Sequence, residues 1–272
     1  MNFMKWPMKC AMNKLLHKET ALLDKRAVFK THNINYNNMY IKRQLAILLA
    51  ILVNQCFYSQ EGVVEYHTVY YDMPNVEKDK DFKRKTALEI NDMKYTLRFN
   101  GRQSYFEELP RVPHDEFMGK VASIVAYSDR PWHQDAKKNS PFRNKKIKDS
   151  IYIVTHNDRM EGWTLHNETK DIDGYTCYKA TKHHVQYYTE IEFTIDGWYT
   201  PEIPVPYGPA GYGGLPGLIL QLERSHVIFV ADKVTLNPKG GIKPIKEVEP
   251  GRIITNEEKG ILMRRARKVT ED

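Results

Sequence analysis

The feature that most limits what this chain can fold into is a run of short apolar/polar alternations separated by turn residues. Ile191, Phe193 and Ile195 alternate with Glu190, Glu192 and Thr194, which puts core side chains on one face of a strand and wet ones on the other. Val63 to Tyr71 has the β-branched and aromatic content of a strand. Further strands are expected at Ile151 to Thr155, Gly162 to Leu165, Thr176 to His183, Val185 to Ile195, Leu218 to Glu223 and Val227 to Leu236. Turns such as Asp173-Gly174 and Arg224-Ser225 are too short for a parallel crossover, which needs about a dozen residues or more, so the strands form an antiparallel meander. Asn100-Gly101 between Tyr95 to Phe99 and Ser104 to Glu107 marks a hairpin. Phe117, Met118, Val121, Ala122 and Val125 recur at helical spacing within Asp115 to Val125. Thr255 and Glu258 open a C-terminal helix, Thr255 to Lys268, with a capping box. The fold class is therefore β-rich α+β. Two polar stretches read differently. Glu77 to Lys85 has the mixed charge of a solvated loop, and the basic run Lys137 to Lys148 is either a solvated loop or a site for an anionic lipid or acidic partner.

Upstream, Lys42 and Arg43 precede the nine-residue apolar run Leu45 to Val53 and the more polar Asn54 to Ser59. That order is the one of a secretory signal peptide, Met39 to Ser59, cleaved between Ser59 and Gln60. The run is well short of the roughly 20 residues that span a bilayer as a helix, so the chain is not expected to be an integral membrane protein. Lipidation at Cys56 is the rival use, but Asn54 and Gln55 stand where small residues belong. Residues 1–38 read as a leader produced by a start assigned too far upstream, or else as a real Asn- and Met-rich leader removed along with the signal. Nine of the 41 Lys/Arg and two of the 34 Asp/Glu precede residue 60, leaving 32 of each sign after it. The mature chain is formally neutral, so the overall pI of about 9.0 is no argument for nucleic acid. Cys177 is the one cysteine after residue 60, which excludes an intrachain disulfide and suits a small buried apolar side chain.

Trp198 to Leu222 carries five prolines and five glycines before a Leu/Ile-rich strand. Pro201, Pro204 and Pro206 favour an extended path without ladder donors. Pro216 followed by Gly217 suits a type II turn with positive φ at Gly217. Such a corner would place Leu218, Leu220 and Leu222 in the core and Trp198 and Tyr199 at the rim of any cavity. In this segment the sequence resembles the GLPGLI family, exported proteins of Bacteroidota, through Gly214, Leu215, Pro216, Gly217, Leu218 and Ile219. The likeness extends to Trp198, Tyr199, Pro201, Glu202 and Pro204, to Tyr207, Gly208, Pro209 and Gly213, and to the approach Glu168 to Thr181. Asp196-Gly197 departs from the pattern and is read as a bulge or a turn. The resemblance implies one domain over residues 60–240, with 241–272 as an extension bearing a short helix. It also implies a sheet curled into a half-barrel around one or two short helices, similar to lipoprotein carriers, and a periplasmic or outer-membrane location.

The motifs of the familiar enzymes are missing: no G-x-S-x-G, no H-E-x-x-H, no P-loop, no G-x-G-x-x-G. Leu215 and Pro216 interrupt any phosphate cradle in Gly208 to Gly217. His183 and His184 are adjacent on a strand, point to opposite faces and cannot share a metal. Ser123, Ser140 and Cys177 lack a local partner pattern, although triads assemble from distant positions. No cofactor is implied. Binding of an apolar envelope ligand, a lipid or acylated chain, or of an outer-membrane protein is the favoured reading. A hydrolase with a dispersed site and a purely structural scaffold are the alternatives.

Overall fold

The computed structural model describes residues 43–44, 60–71, 80–138, 140–185 and 192–268. The leader 1–38, nearly all of the signal segment 39–59 and Glu190-Ile191 of the alternating strand lie outside them. The fold described below lies in one compact unit that begins at Phe57.

Among the described residues, twelve strands form one open sheet, ordered β12-β6-β5-β4-β3-β2-β1-β11-β10-β9-β8-β7. In chain order β1 is Gly62–Tyr70, β2 Lys94–Phe99, β3 Gln103–Glu108, β4 Trp132–Asp135, β5 Ser140–Ile147 and β6 Ser150–Thr155. They are followed by β7 Thr164–Ile172, β8 Tyr175–Val185, β9 Glu192–Thr200, β10 Leu218–Arg224, β11 Val227–Leu236 and β12 Arg252–Thr255. All pairings are antiparallel except that of β12 with β6, whose 96-residue separation in sequence leaves ample chain for a crossover. Alternation sets the faces: Val64, Tyr66 and Thr68 of β1 are buried, whereas Glu65 and Val69 are exposed. Inside, Phe106 stacks on Tyr95 at 5.1 Å between centroids and meets the edges of Tyr66 and Phe229. The expected hairpin forms from β2 and β3, and its turn is tied by Asn100, whose Oδ1 accepts from the Arg102 and Gln103 amides.

Helices α1 Lys80–Asn91, α2 Glu116–Val125 and α3 Asn256–Lys268 cover parts of the sheet. The Asp115 side chain caps α2 by accepting from the Met118 amide at 2.9 Å. Thr255 and Glu258 bond reciprocally at the start of α3, as the capping box requires.

Four expectations are corrected. From residue 80 the segment Glu77 to Lys85 is helical, because Asp81 pairs with Arg84 and Lys85 one turn on. Glu89 of the same helix turns inward onto Arg111 at 2.5 Å and the Asp115 amide at 2.8 Å. The basic run after Lys137 is mostly strand β5, whose Ser140 to Phe142 pair with β4 and whose Phe142 to Ile147 pair with β6. Asp196-Gly197 is neither bulge nor turn but continuous β9, paired with Thr181 and Ala180; the irregularity lies opposite, between Ile219 and Gln221 of β10. Gly217 does not adopt positive φ. It is glycine because a Cβ there would stand 2.1 Å from the Thr200 carbonyl oxygen.

Candidate functional site

The Gly/Pro segment is the filling of the sheet. Ile203, Val205, Tyr207, Ala210, Tyr212 and Leu215 are all buried, so the space where a half-barrel would hold an apolar ligand is occupied by the chain's own loop. The sheet curls round this plug: the turn Pro209–Gly211 touches both β4 and β10, five places apart in the strand order. Side chains from several strands hold the plug by its carbonyls. Gln134 Nε2 donates to Gly211 O and Tyr212 O at 3.2 and 3.0 Å and Trp163 Nε1 to Gly213 O at 2.9 Å, and just past the plug, in β10, the Tyr66 hydroxyl donates to Ile219 O at 2.6 Å. Gly214 takes φ 79° against the Met160 carbonyl, where no side chain fits.

Above the plug, the two ends of the sheet face each other across a cleft of about 820 Å³. Arg143 reaches it from β5, His156 and Arg159 from the end of β6 and its 3-10 turn, Lys182 from β8, Arg224 from β10, Lys259 from α3 and Tyr127 from the end of α2. Arg159 is buried, donates to Ala210 O, and its guanidinium lies over the rings of Trp132 at 4.1 Å, Tyr212 at 4.6 Å and Tyr127 at 5.1 Å. Arg224 sits 3.6 Å from the Tyr127 centroid, and its Nε donates to the Tyr212 hydroxyl at 2.8 Å. Arg143 stacks on Trp132 and pairs with Asp129 at 2.8 Å. Lys182 Nζ donates to the Asp158 and Glu161 carbonyls. The guanidiniums are thus held by aromatic faces, and of the three only Arg143 has a carboxylate ion pair among the described residues.

This crowding shifts the titrations. Burial, reinforced by Arg143, Lys145 and Arg159, lowers Lys259 to about 8. Burial and then Arg159 and Arg143 push His156 far below its usual range, so the imidazole is neutral. Burial would raise the Tyr127 phenol, but Arg224, with Arg159 and Arg143 beyond it, outweighs that and lowers it. Tyr127 also has φ 57°, a conformation costly for a bulky residue and concentrated at functional sites. His156 is 5% exposed and its Nε2 has no hydrogen-bond partner.

None of the motif residues lines this cleft. Trp198 and Tyr199 lie in β9, where Trp198 is half-buried beneath Lys170 at 4.1 Å and Tyr199 is packed against Tyr178. Pro201 and Glu202 are exposed, with Glu202 accepting from the Thr176 amide. Pro204 is half-buried; Tyr207, Gly208, Pro209, Gly213, Leu215, Gly217, Leu218 and Ile219 are buried; Gly214 and Pro216 are exposed. The motif builds the floor behind the cleft through Ala210 and Tyr212. Missed from sequence were Tyr127, His156, Arg159, Lys182, Arg224 and Lys259. The one usable signal was the basic run, whose Arg143 and Lys145 do line clefts. His183 and His184 are at its edge; His183 is exposed near Glu192, His184 packs on Phe193, and no metal-holding cluster occurs among the described residues. Cys177 is buried, unpaired, and pushed by burial to about 12, an unreactive thiol. No described helix is long and apolar enough to cross a membrane.

Fold and site together define an open, mostly antiparallel sheet wrapped on its own Gly/Pro loop, with a cationic cleft between the sheet ends. Residues 182–221 match the model of a family described as "Protein of unknown function (Porph_ging)", a span that holds the end of β8, β9, the plug and the start of β10. Two crystal forms of PNGF-II, in space groups C2 and P21, are similar at 16% and 15% identity, with TM-scores of 0.49 and 0.48. Each match covers 77% of this chain and 34% of that one, so the chain spans about a third of that protein's length. No curated protein matches.

Proposed function

We propose that this chain is an exported cell-envelope protein that binds, without chemistry, an anionic ligand in the cleft between the sheet ends. The observation that carries the reading is His156 Nε2, buried and unpartnered, in a wall shared with Arg143, Arg159 and Lys259. With its proton on Nε2, the buried imidazole lacks an acceptor, which costs stability, and an oxyanion that reaches it supplies that acceptor together with a counter-charge for Arg143, Arg159 and Lys259. The concentration of cations is local, since the chain after residue 60 is formally neutral. Export rests on the basic, apolar and polar order of Met39 to Ser59, and the envelope setting rests on the GLPGLI resemblance of Trp198 to Ile219.

Isothermal calorimetry with inorganic phosphate at low ionic strength tests the reading. Binding is expected, weakened at least about tenfold in both Arg143→Ala and Lys259→Gln. An absence of binding to the folded protein, or an affinity in both variants equal to that of the unaltered protein, overturns it.

A second reading, a surface for an apolar partner such as an outer-membrane protein, is favoured by one observation. Phe117 and Ile124 share a face of α2 and are 67% and 63% exposed, and Val112, in the segment leading into α2, is 88% exposed.

A further inference from the structure

A second groove, of about 460 Å³, adjoins the cleft, and Arg143, His156 and Lys259 line both. Both volumes fall in the roughly 300–1,000 Å³ range of small-molecule sites. Their chemistry differs. The larger cleft adds Arg159, Arg224 and Lys182 to the shared wall, along with the carboxylate residues Asp158, Glu161 and Glu257, so its cations outnumber its acids five to three. Beyond that wall the groove runs between β6 and α3, where Val154 and Met263 are its apolar members and Lys145 and Arg264 border it. Long basic side chains of this kind lay their methylene stems along apolar surface while the charged heads reach water. A ligand that satisfies both sides of the shared wall has a charged head at Arg143, His156 and Lys259 and an apolar chain beside Val154 and Met263.

We propose that the ligand is a single-chain amphiphile with a phosphate head, its head held by Arg143, His156 and Lys259 and its alkyl chain lying in the groove between β6 and α3. The inference rests on the anion-binding reading above and names the class of ligand. A phosphate head matches the shared wall better than a carboxylate because three side chains, Arg143, His156 and Lys259, line it and a carboxylate has only two oxygens to offer them. A phosphate monoester carries up to two negative charges and offers three terminal oxygens, enough to engage two cations and the imidazole together.

The test is calorimetry of the full chain with inorganic phosphate, methyl phosphate, butyl phosphate and octyl phosphate, each below its micelle concentration, with octyl glucoside as an uncharged control. Affinity is expected to rise with chain length, by up to about fourfold per added methylene where the chain is fully buried. Octyl glucoside should bind far more weakly than octyl phosphate. Met263→Gln should reduce the ratio of octyl to inorganic phosphate affinity. Normal binding of inorganic phosphate with no gain from the octyl chain overturns the amphiphile while leaving anion binding intact. Octyl glucoside binding as tightly as octyl phosphate overturns the phosphate head. Failure of every phosphate to bind removes the anion-binding reading itself, and this inference with it.

Discussion

Gly217 shows how a single residue can be legible in a sequence while its reason is not. Pro216-Gly217 advertises a turn with positive φ, yet the constraint is the approach of the Thr200 backbone, 2.1 Å from where a Cβ would stand. The distinction is measurable. Gly217→Ala forces strand β9 and the plug apart and should destabilise the protein by about 3 kcal/mol, the upper end of ordinary overpacking. Gly240 has φ 91° with open space around it, so Gly240→Ala should cost only about 1–2 kcal/mol, from backbone conformation alone. Urea unfolding of both variants checks the order, and equal losses would mean that the Thr200 backbone gives way to a Cβ at 217. The cleft residues were illegible for another reason. Arg143, Arg159, Arg224, Lys182 and Lys259 come from five separate segments, and nothing in their spacing announces that curling of the sheet gathers them. Tyr127 has no sequence mark either, since its constraint is a left-handed backbone at the end of a helix, a place where glycine is usual.

At the scale of elements, the strands with one dry face and the helices with caps were readable, and the elements that carry charge inward were not. Strand β11 runs from Val227 to Leu236 as its alternation indicates, and the hairpin of β2 and β3 forms around Asn100. Strand β5 was obscured because Arg143, Lys145 and Lys146 look like solvated surface, although Arg143 is stacked on Trp132 and paired with Asp129. Helix α1 was obscured because its inward positions include Glu89, whose partner Arg111 is 22 residues away. Rules based on hydrophobic period fail where buried charge is used, and that is also where function concentrates. Helix α3 tests the opposite case, an element whose start is fully specified locally. Thr255→Ala removes the acceptor for the Glu258 amide and should cost α3 about 1 kcal/mol. Hydrogen exchange is expected to quicken across 256–268 while the protection of β10 and β11 stays as it was. Matching loss of protection in those core strands would show that α3 and the sheet open as one unit.

For the molecule as a whole, the expected curled sheet is present, but its interior is closed by the loop that the sequence singled out, and the accessible chemistry has moved to the cleft between the sheet ends. A fold packed this way holds buried bases in their neutral form, which makes its stability depend on pH. His133 lies in β4, away from the cleft, stacked on Phe142 at 5.5 Å with the edge of Tyr105 against it, and burial lowers it to about 4. His184 is lowered to about 4 by burial and then by Arg224. Unfolded, both titrate near 6.5, so between pH 6.5 and about 4 the unfolded chain binds protons that the native state refuses. Stability therefore rises with pH across that window and is lost on acidification through it. Glu89, held low by Arg111 and the Asp115 amide against the opposing effect of burial, adds a loss of the same sign at lower pH, because its contribution disappears as the carboxylate is protonated. Urea unfolding at pH 7, 5.5 and 4.5 should show a progressive fall in stability. In His133→Phe, which keeps an aromatic ring against Phe142 but cannot titrate, the fall between pH 7 and 4.5 should be smaller by about 2 kcal/mol. Comparing each protein with itself across pH cancels any constant packing cost of the substitution. An identical pH dependence in the variant would mean that His133 is not held neutral by its burial and that the acid sensitivity lies elsewhere in the sheet.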